Sequence, residues 1–593
     1  MSLLPSERQR VFALTIVAGV VCGAVAVAFH LAIRLAERFL IDRSFSAPGT
    51  WQVILVIATP TLGGLVCGLL LHYVFPGARG SGIPQVKAAY AVNGGRVPLR
   101  DAVGKFLVGA LQIGSGASLG REGPTVHICA GVVSRLGRMA ALSRPNLARL
   151  LPVGAAAGIA AAFNAPIAAV TFALEEIVGD LDQTMLSGVV VAAALAAVTE
   201  RGVLGEHPVF AVPRGYGLHY ASSLGLYAFL GILAGFASLG FTESLLKLRA
   251  RFLAMTIVPK WAQPALGGLV TGSLAVVAAV WLQTGGVTGG GYDTLLEALS
   301  GNLGFKVLLV LGGLKLVATV FSYSSGGAGG IFAPALFIGG MLGGAVGWCD
   351  VALFHHPQSE VGAFALVGMG AVFAGIIRAP ITSVLIIFEM TDGYSLVLPL
   401  MIANMTAYGL ARRWRPTPIY DALLEQDGIH LPHRRGTVSH ALELVRVSDA
   451  MTVDLVTLPA ALTTDEAARR TQELSHSTYP IVDERGVFGG LVTRNRMRRV
   501  VAEGSGNDEL QKIADRANYV YPDYALTRAA VRMNNQGVSQ LAVVDRADGR
   551  LVGLIAMSDI VRAQARAVEE ISDIDVSIVP RSKATASEDF YRG

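Results

Sequence analysis

Three short motifs in this 593-residue chain place glycines just before a proline: "GSGIP" at residues 80–84, "GREGP" at 120–124 and "GGIFAP" at 329–334. Proline suits the first turn of a helix, because its missing N–H would have no partner there. Several helix N-termini pointing at one position would present free N–H groups and positive dipole ends. The motifs therefore predict an anion site built mostly from neutral backbone donors, which suits transport because the ion must also be released.

The second motif adds a charged pair, Arg121 and Glu122, between glycines. Charged side chains are costly at membrane depth and usually mark function there. Taken alone, Glu122 could be a first-turn acid that stabilises a helix dipole, and Arg121 an electrostatic or structural support. The setting of Glu122 in a repeated motif favours a role in the anion pathway.

The composition indicates a polytopic membrane protein, because 52% of the residues are hydrophobic and only 15% are charged. Apolar runs recur over about the first 410 residues. Several are broken by glycine or proline, which predicts half-helices beside a protected cavity. We find no nucleophile–base set or metal cluster that suggests an enzyme, and no basic–aromatic patch that suggests nucleic acid. The four cysteines are interpreted as packing residues.

The membrane region repeats itself, in halves of roughly 11–200 and 220–410. Residues 105–124 align without a gap on 315–334, and residues 153–176 align with 367–390. Glycine-interrupted segments at equivalent positions of two repeats are typical of a transporter whose site lies between the repeats. The aligned Lys105 and Lys315 are interpreted as helix-end residues that snorkel, although Lys105 could instead add positive potential near the pathway. Glu389, aligned with Glu175, is predicted to form a structural pair.

The chain changes character after about residue 425. We predict a membrane domain over 1–425, a linker over 426–445, a duplicated soluble α/β module over 446–500 and 511–565, and a loosely held tail over 566–593. The duplication is seen in the similarity of residues 478–497 to residues 539–560.

The motifs together resemble those of the CLC family of chloride channels and chloride/proton exchangers, and the paired C-terminal repeats resemble CBS domains. The resemblance covers nearly the whole chain. It implies an all-α inverted-repeat membrane domain with half-helices, followed by a soluble α/β CBS pair. It also implies a homodimer with one pathway per subunit, multiple passes through the bilayer, and both termini in the cytoplasm. The arginines of "MSLLPSERQR" agree with that orientation, and a bacterial inner membrane is expected.

The resemblance also implies the site residues. Hydroxyls of Ser81 and Tyr420 would bind a central chloride, and the remaining positions would contribute backbone: Gly82, Ile331 and Phe332 near that site, and Arg121, Glu122 and Gly123 at an outer one. Glu122 would be the gate, its carboxylate taking the place of the anion until a proton or chloride displaces it. By the residues alone, Ser81 could be only a turn residue and Tyr420 only an interfacial tyrosine.

Glu176 bears on whether the protein is an exchanger or a channel. It follows Glu175 in "FALEEI", and family exchangers usually keep an acid at this position to pass protons from the cytoplasm. Alternatively, both acids simply mark the exit of a helix into water. We favour exchange of chloride for protons over a passive chloride channel. The serine of "GSGIP" favours chloride over nitrate, and the fluoride-exporting branch departs more broadly from these motifs.

The CBS pair carries a divided nucleotide motif. The first repeat keeps Thr493 but has Arg496 where an acid belongs, and the second keeps Asp559 but has Ala556 where a hydroxyl belongs. An adenine nucleotide at this pair and a purely structural role are both open, and transport is expected to need no cofactor. A membrane-anchored nucleotide sensor is a third alternative for the whole protein.

Overall fold

Long apolar stretches of this chain become helices, because a helix pairs its own backbone groups where lipid offers no partner. The computed structural model describes residues 7–179, 183–205, 216–391, 394–431, 445–474, 476–563 and 565–566. In these residues, nine helices are long and apolar enough to cross a membrane. The chain divides into two compact units, residues 1–432 and 433–593. Most of the expected linker and tail lies outside the described residues.

The named secondary-structure elements of the membrane unit are all helices. Three helices continue into a π-helical turn, at Leu70–Val74, Ala173–Val178 and Ala278–Leu282. The α-helices are, in chain order, α1 Glu7–Phe39, α2 Ile41–Phe45, α3 Thr50–Leu69, α4 Ile83–Ala91, α5 Leu99–Gly114, α6 Glu122–Met139, α7 Arg144–Phe163, α8 Pro166–Phe172, α9 Gln183–Leu204, α10 Ser223–Ala254, α11 Gln263–Val277, α12 Tyr292–Leu299, α13 Phe305–Ser324, α14 Phe332–Phe354, α15 Glu360–Ile377, α16 Pro380–Thr391, α17 Val397–Trp414 and α18 Ile419–Gln426.

Reciprocal contacts join the two sequence repeats. Gly120 and Gly330, which are aligned in the repeats, exchange two backbone hydrogen bonds of 2.7 Å each. Glu175 accepts hydrogen bonds from the first amides of α16, while the aligned Glu389 accepts them from Ile167 and Ala168 at the start of α8. Each repeat thus caps a helix of the other, as a two-fold relation requires. The structural pair predicted for Glu389 is confirmed.

Small residues let the central helices approach closely. A Cβ atom on Gly339 of α14 would lie 2.3 Å from the carbonyl oxygen of Gly368 of α15, and one on Gly343 would lie 2.1 Å from that of Phe364. Helix α15 is buried along its whole length. Helix α14, which begins at the third glycine–proline motif, is therefore packed closely against α15.

The second unit contains two small sheets of the same topology. In each, the first pair of strands is parallel and the second pair antiparallel, with the order β1-β2-β3 and β4-β5-β6. The elements are α19 Val447–Ala450, β1 Leu458–Pro459, α20 Thr464–Arg470, β2 Thr478–Val482, β3 Phe488–Thr493, α21 Arg494–Ala502, α22 Leu510–Ile513, β4 Tyr519–Val520, α23 Leu526–Gln536, β5 Gln540–Val544 and β6 Leu551–Ala556. The sheets meet through a shared apolar cluster that includes Leu491 and Ala542. The predicted fold class, an all-α membrane domain followed by an α/β pair, is confirmed.

Candidate anion and proton site

The three glycine–proline motifs come together, and each one opens a helix. Helices α4, α6 and α14 begin at Ile83, Glu122 and Phe332, so each motif proline lies in a first turn. A Cβ atom on Gly123 would lie 2.5 Å from the Ser81 Oγ, and one on Gly330 would lie 3.1 Å from the Gly123 amide nitrogen. Because the first amides of a helix have no partner within it, this junction gathers the donors that the sequence predicted.

Gly82 must be a glycine for two reasons. Its φ of +102° is rarely adopted by other residues. In addition, a Cβ atom there would lie 2.7 Å from the carbonyl oxygen of Gly123 and the same distance from the Cβ of His127. The "GSGIP" loop can therefore lie directly against the start of α6, which brings Ser81 to the junction.

Two buried hydroxyls face this junction. Ser81 and Tyr420 are both 0% exposed, and neither hydroxyl makes a hydrogen bond of ordinary geometry to a residue that the structure describes. A buried polar group without a protein partner is costly and points to a ligand. Full burial also shows that the interfacial alternative for Tyr420 is wrong. Ile331 and Phe332 at the start of α14 are also buried, and the Phe332 ring packs on Phe163 at 4.9 Å between centroids.

Lys105 and Lys315 do not snorkel, so that prediction is wrong. Both side chains are 0% exposed. The Lys105 Nζ donates to the carbonyl oxygens of Arg79 (3.2 Å) and Gly80 (2.7 Å), which fixes the loop that carries Ser81. The Lys315 Nζ donates to the carbonyl oxygens of Gly286 (2.9 Å) and Gly289 (2.7 Å) among others. Loop carbonyls that point inward give each ammonium the partners that water would otherwise provide.

Glu122 is held by a residue that sequence reasoning missed. The carboxylate is 0% exposed, and its Oε1 accepts a hydrogen bond from the Tyr292 hydroxyl. The Arg121 guanidinium lies 5.4 Å from the centroid of the Tyr292 ring and donates to the carbonyl oxygen of Ala162 at 3.2 Å. Arg121 and Tyr292 line a cavity of about 1420 Å³, and Glu122 does not. The only sequence signal for Tyr292 is its place directly after a glycine run.

Glu176 lies in a buried ionic cluster. It is 4% exposed in the π-helical turn after α8, so it is not a solvated helix end. The Lys87 Nζ lies 2.7 Å from the Glu176 Oε1 and also pairs with Asp421. Asp421 directly follows Tyr420 at the start of α18, and Lys87 lies on the helix that "GSGIP" opens. This Lys87 cluster (Lys87, Glu176 and Asp421) was also missed, although Lys87 and Asp421 each stand close to a predicted site residue.

The nucleotide candidates of the second unit make local hydrogen bonds. The Thr493 Oγ1 accepts from the Arg496 amide at 3.3 Å and caps α21. The Asp559 Oδ2 accepts from the Ala556 amide at 2.9 Å. The two residues belong to different sheets, since Thr493 ends β3 and Asp559 lies three residues after β6. Both side chains thus have structural partners in the chain itself.

Comparisons with known proteins agree with this geometry. Residues 63–412 match the family described as voltage gated chloride channel, and residues 447–503 and 513–566 each match the CBS domain. The chain belongs to the voltage-gated chloride channel (CLC) family. A relative from Vibrio cholerae, named H(+)/Cl(-) exchange transporter ClcA, is 32% identical over 70% of this chain and 88% of its own length. The protein of the same name from Salmonella newport is 33% identical over 69% and 86%.

Solved structures show the same CLC fold. A slow cyanobacterial Cl⁻/H⁺ antiporter superimposes with a TM-score of 0.64 at 26% identity, over 72% of this chain and 99% of the other. A eukaryotic CLC transporter gives 0.59 at 19% identity, over 93% and 98%. The second alignment is long enough to extend well beyond the membrane unit.

Proposed function

We propose that this CLC protein is a secondary transporter that exchanges chloride for protons across a bilayer, and that Glu122 is its gate. The observation that carries the proposal is the position of two buried acids, Glu122 and Glu176. Glu122 lies at the junction of the three motifs, and Glu176 lies in the Lys87 cluster. Buried carboxylates are costly without a purpose, and acids inside membrane domains commonly form proton relays. The relatives named H⁺/Cl⁻ exchangers support the same function.

The anion would bind at the junction of α4, α6, α14 and α18. The hydroxyls of Ser81 and Tyr420 would donate to a central chloride, together with the amides of Ile331 and Phe332. The Gly82 turn, whose amide donates to the Gln85 Oε1 at 2.9 Å, would position Ser81. The amides of Arg121, Glu122 and Gly123 would form an outer site. Neutral donors bind a chloride ion firmly enough to replace its water yet still release it.

The ionised carboxylate of Glu122 can compete with chloride for these donors because both carry one negative charge. Protonation removes that charge, so the carboxyl group leaves and chloride enters. Glu176 would supply the proton from the cytoplasmic side. Transport would involve no covalent step and would need no cofactor.

The proposal extends to the assembly. A homodimer with one pathway per subunit, in a bacterial inner membrane with both termini in the cytoplasm, is what the family resemblance implies. At the CBS pair, Thr493 and Asp559 remain candidates for adenine nucleotide, although their local hydrogen bonds equally suit a structural role.

The test uses purified full-length protein in liposomes loaded with chloride. An outward chloride gradient is imposed, the voltage is clamped, and external pH is followed. We expect protons to move uphill, against their own gradient, and Glu122→Gln to abolish that movement while chloride still flows. Chloride flux without uphill proton movement would identify a passive channel. Tight nucleotide binding without flux of either ion would favour the membrane-anchored sensor.

A further inference from the structure

We propose that the Tyr292 hydroxyl is a latch that holds the Glu122 carboxylate in its closed position. Tyr292 would be a positioning residue, acting on the anion and the proton only through Glu122. The inference rests on the proposed function in one respect, that Glu122 is the gate. It assigns a role to a residue outside the three glycine–proline motifs.

The latch follows from where the three side chains lie. The Tyr292 hydroxyl donates to the Glu122 Oε1, and Glu122 is completely buried. Tyr292 is only partly buried and forms part of the wall of the 1420 Å³ cavity. An ion or proton approaching Glu122 from the cavity therefore meets Tyr292 first. The Arg121 guanidinium, 5.4 Å from the ring centroid, helps to keep the ring in place.

The repeat explains how a tyrosine comes to this position. Helix α12, which begins at Tyr292, precedes α13 and Lys315, just as α4 precedes α5 and Lys105. Both short helices are capped by a glycine of positive φ, +102° at Gly82 and +76° at Gly291. Each is preceded by a loop whose carbonyl oxygens bind a buried lysine. The loop before α12 is thus the counterpart of the "GSGIP" loop. It places the Tyr292 hydroxyl at the gate, and the "GSGIP" loop places the Ser81 hydroxyl at the proposed central site.

The chemistry suits a latch that a proton opens. A phenol is neutral, and its O–H donates strongly to an ionised carboxylate. A hydrogen bond to a charged group shifts the equilibrium between the held and the released carboxyl group by about 10-fold or more. A hydrogen bond between neutral groups shifts it by less. Protonation of Glu122 therefore weakens the hold of Tyr292, and no buried charge is left behind when the carboxyl group moves away.

The test replaces Tyr292 by phenylalanine, which removes the hydroxyl and keeps the ring over Arg121. In liposomes we expect chloride turnover to rise about 10-fold, in line with the loss of one charge-assisted hydrogen bond. The reversal potential should also move toward that of chloride alone, because an unlatched gate opens without a proton. In a Glu122→Ala background, Tyr292→Phe should leave chloride turnover within about 2-fold, since removal of the carboxyl group removes the latch's partner.

Tyr227→Phe is the matched control. Tyr227 is fully buried, its hydroxyl has no hydrogen-bond partner among the described residues, and its ring stacks on Phe364 at 4.1 Å between centroids. It should transport like the wild type. Should Tyr292→Phe fail to give monodisperse protein, Glu122→Asp shortens the carboxylate by one methylene and tests the same contact, with the same expected rise in uncoupled chloride flux.

Wild-type turnover and coupling in Tyr292→Phe would overturn the latch. An equal effect of Tyr292→Phe with and without the Glu122 carboxylate would also overturn it, because the tyrosine would then be structural. The proposed function fails separately: if the wild type moves no protons uphill, exchange is excluded, and the chloride-turnover comparison still decides whether Tyr292 acts through Glu122.

Discussion

Glu122 and Glu176, the two buried acids assigned to the proposed proton pathway, are held by different chemistry. Glu122 accepts a hydrogen bond from a neutral phenol, and Glu176 pairs with the ammonium of Lys87, which also pairs with Asp421. A carboxylate on a neutral donor leaves no unpaired charge when it moves after protonation. A carboxylate paired with a cation is costly to move, because the cation would be left behind. The contrast suits a gate that swings and a proton acceptor that stays.

The charge balance of the Lys87 cluster supports the role of proton acceptor. One ammonium and two carboxylates together carry one negative charge when all three are ionised. A single added proton makes the cluster neutral. We infer that the cluster accepts a proton without moving a side chain into lipid.

The largest effect should come from Lys87→Met, which leaves two neighbouring carboxylates without their cation. Breaking a buried pair costs about 3–5 kcal/mol, and the lower part of that range applies because Asp421 is 30% exposed. We expect a clear fall in the detergent melting temperature and loss of proton coupling. Lys87→Arg, which keeps the cation, should fold and retain part of the coupling. A Lys87→Met protein as stable and as tightly coupled as the wild type would show that Glu176 does not depend on a cation.

The two repeat lysines provide the next test. Lys315→Met leaves buried loop carbonyls without a donor, at a cost of about 1–3 kcal/mol for each that finds no new partner. Because that loop leads to Tyr292, we expect uncoupled chloride flux like that of Tyr292→Phe. Lys105→Met loosens the Ser81 loop instead and should reduce chloride turnover. Identical transport phenotypes for the two variants would show that the loops do not serve different sites.

Asp421→Asn should have a smaller effect. The Lys87–Glu176 pair survives, but the cluster is then neutral before a proton arrives, so protonation is less favourable. We expect proton flux to fall a few-fold while chloride affinity changes little, measured by initial rates in the same liposomes. A complete loss of coupling would show that Asp421, rather than Glu176, accepts the proton.

The smallest effect is expected away from the pathway, at Thr493. Thr493→Ala removes the cap of α21 and should destabilise the CBS unit by about 1 kcal/mol. The proton-to-chloride ratio should be unchanged, whereas Thr493→Ser should keep both the cap and the stability. A changed ratio would instead link the CBS unit to the transport cycle.

The sequence predicts the fold and the meeting of the three glycine–proline motifs well, because both depend on local patterns. A glycine run before a proline specifies a helix start, and two aligned repeats imply a shared junction. The partners of the acids are less predictable. Tyr292 meets Glu122 across 170 residues of sequence, and Lys87 meets Glu176 across 89. Such contacts depend on how helices pack, and the local periodicity of the sequence does not predict them.

For the two lysines, a general rule about the residue type gave the wrong prediction. The general behaviour of lysine in a membrane helix predicts snorkelling, yet Lys105 and Lys315 are fully buried. Their partners are backbone carbonyl oxygens of glycine-rich loops, which carry no side-chain signal. Their alignment in the repeats was visible in the sequence, but its purpose became clear only with the loops in place.

The central claim is that protons reach the gate through Glu176, and two adjacent acids test it most directly. Glu175 and Glu176 are neighbours in sequence, but Glu175 accepts hydrogen bonds from the first amides of α16 and lies outside the Lys87 cluster. The measurement is the reversal potential of each Glu→Gln variant in liposomes under combined chloride and proton gradients. We predict that Glu176→Gln shifts to the potential of chloride alone, while Glu175→Gln stays at the coupled value of the wild type. A coupled potential in Glu176→Gln would contradict the account.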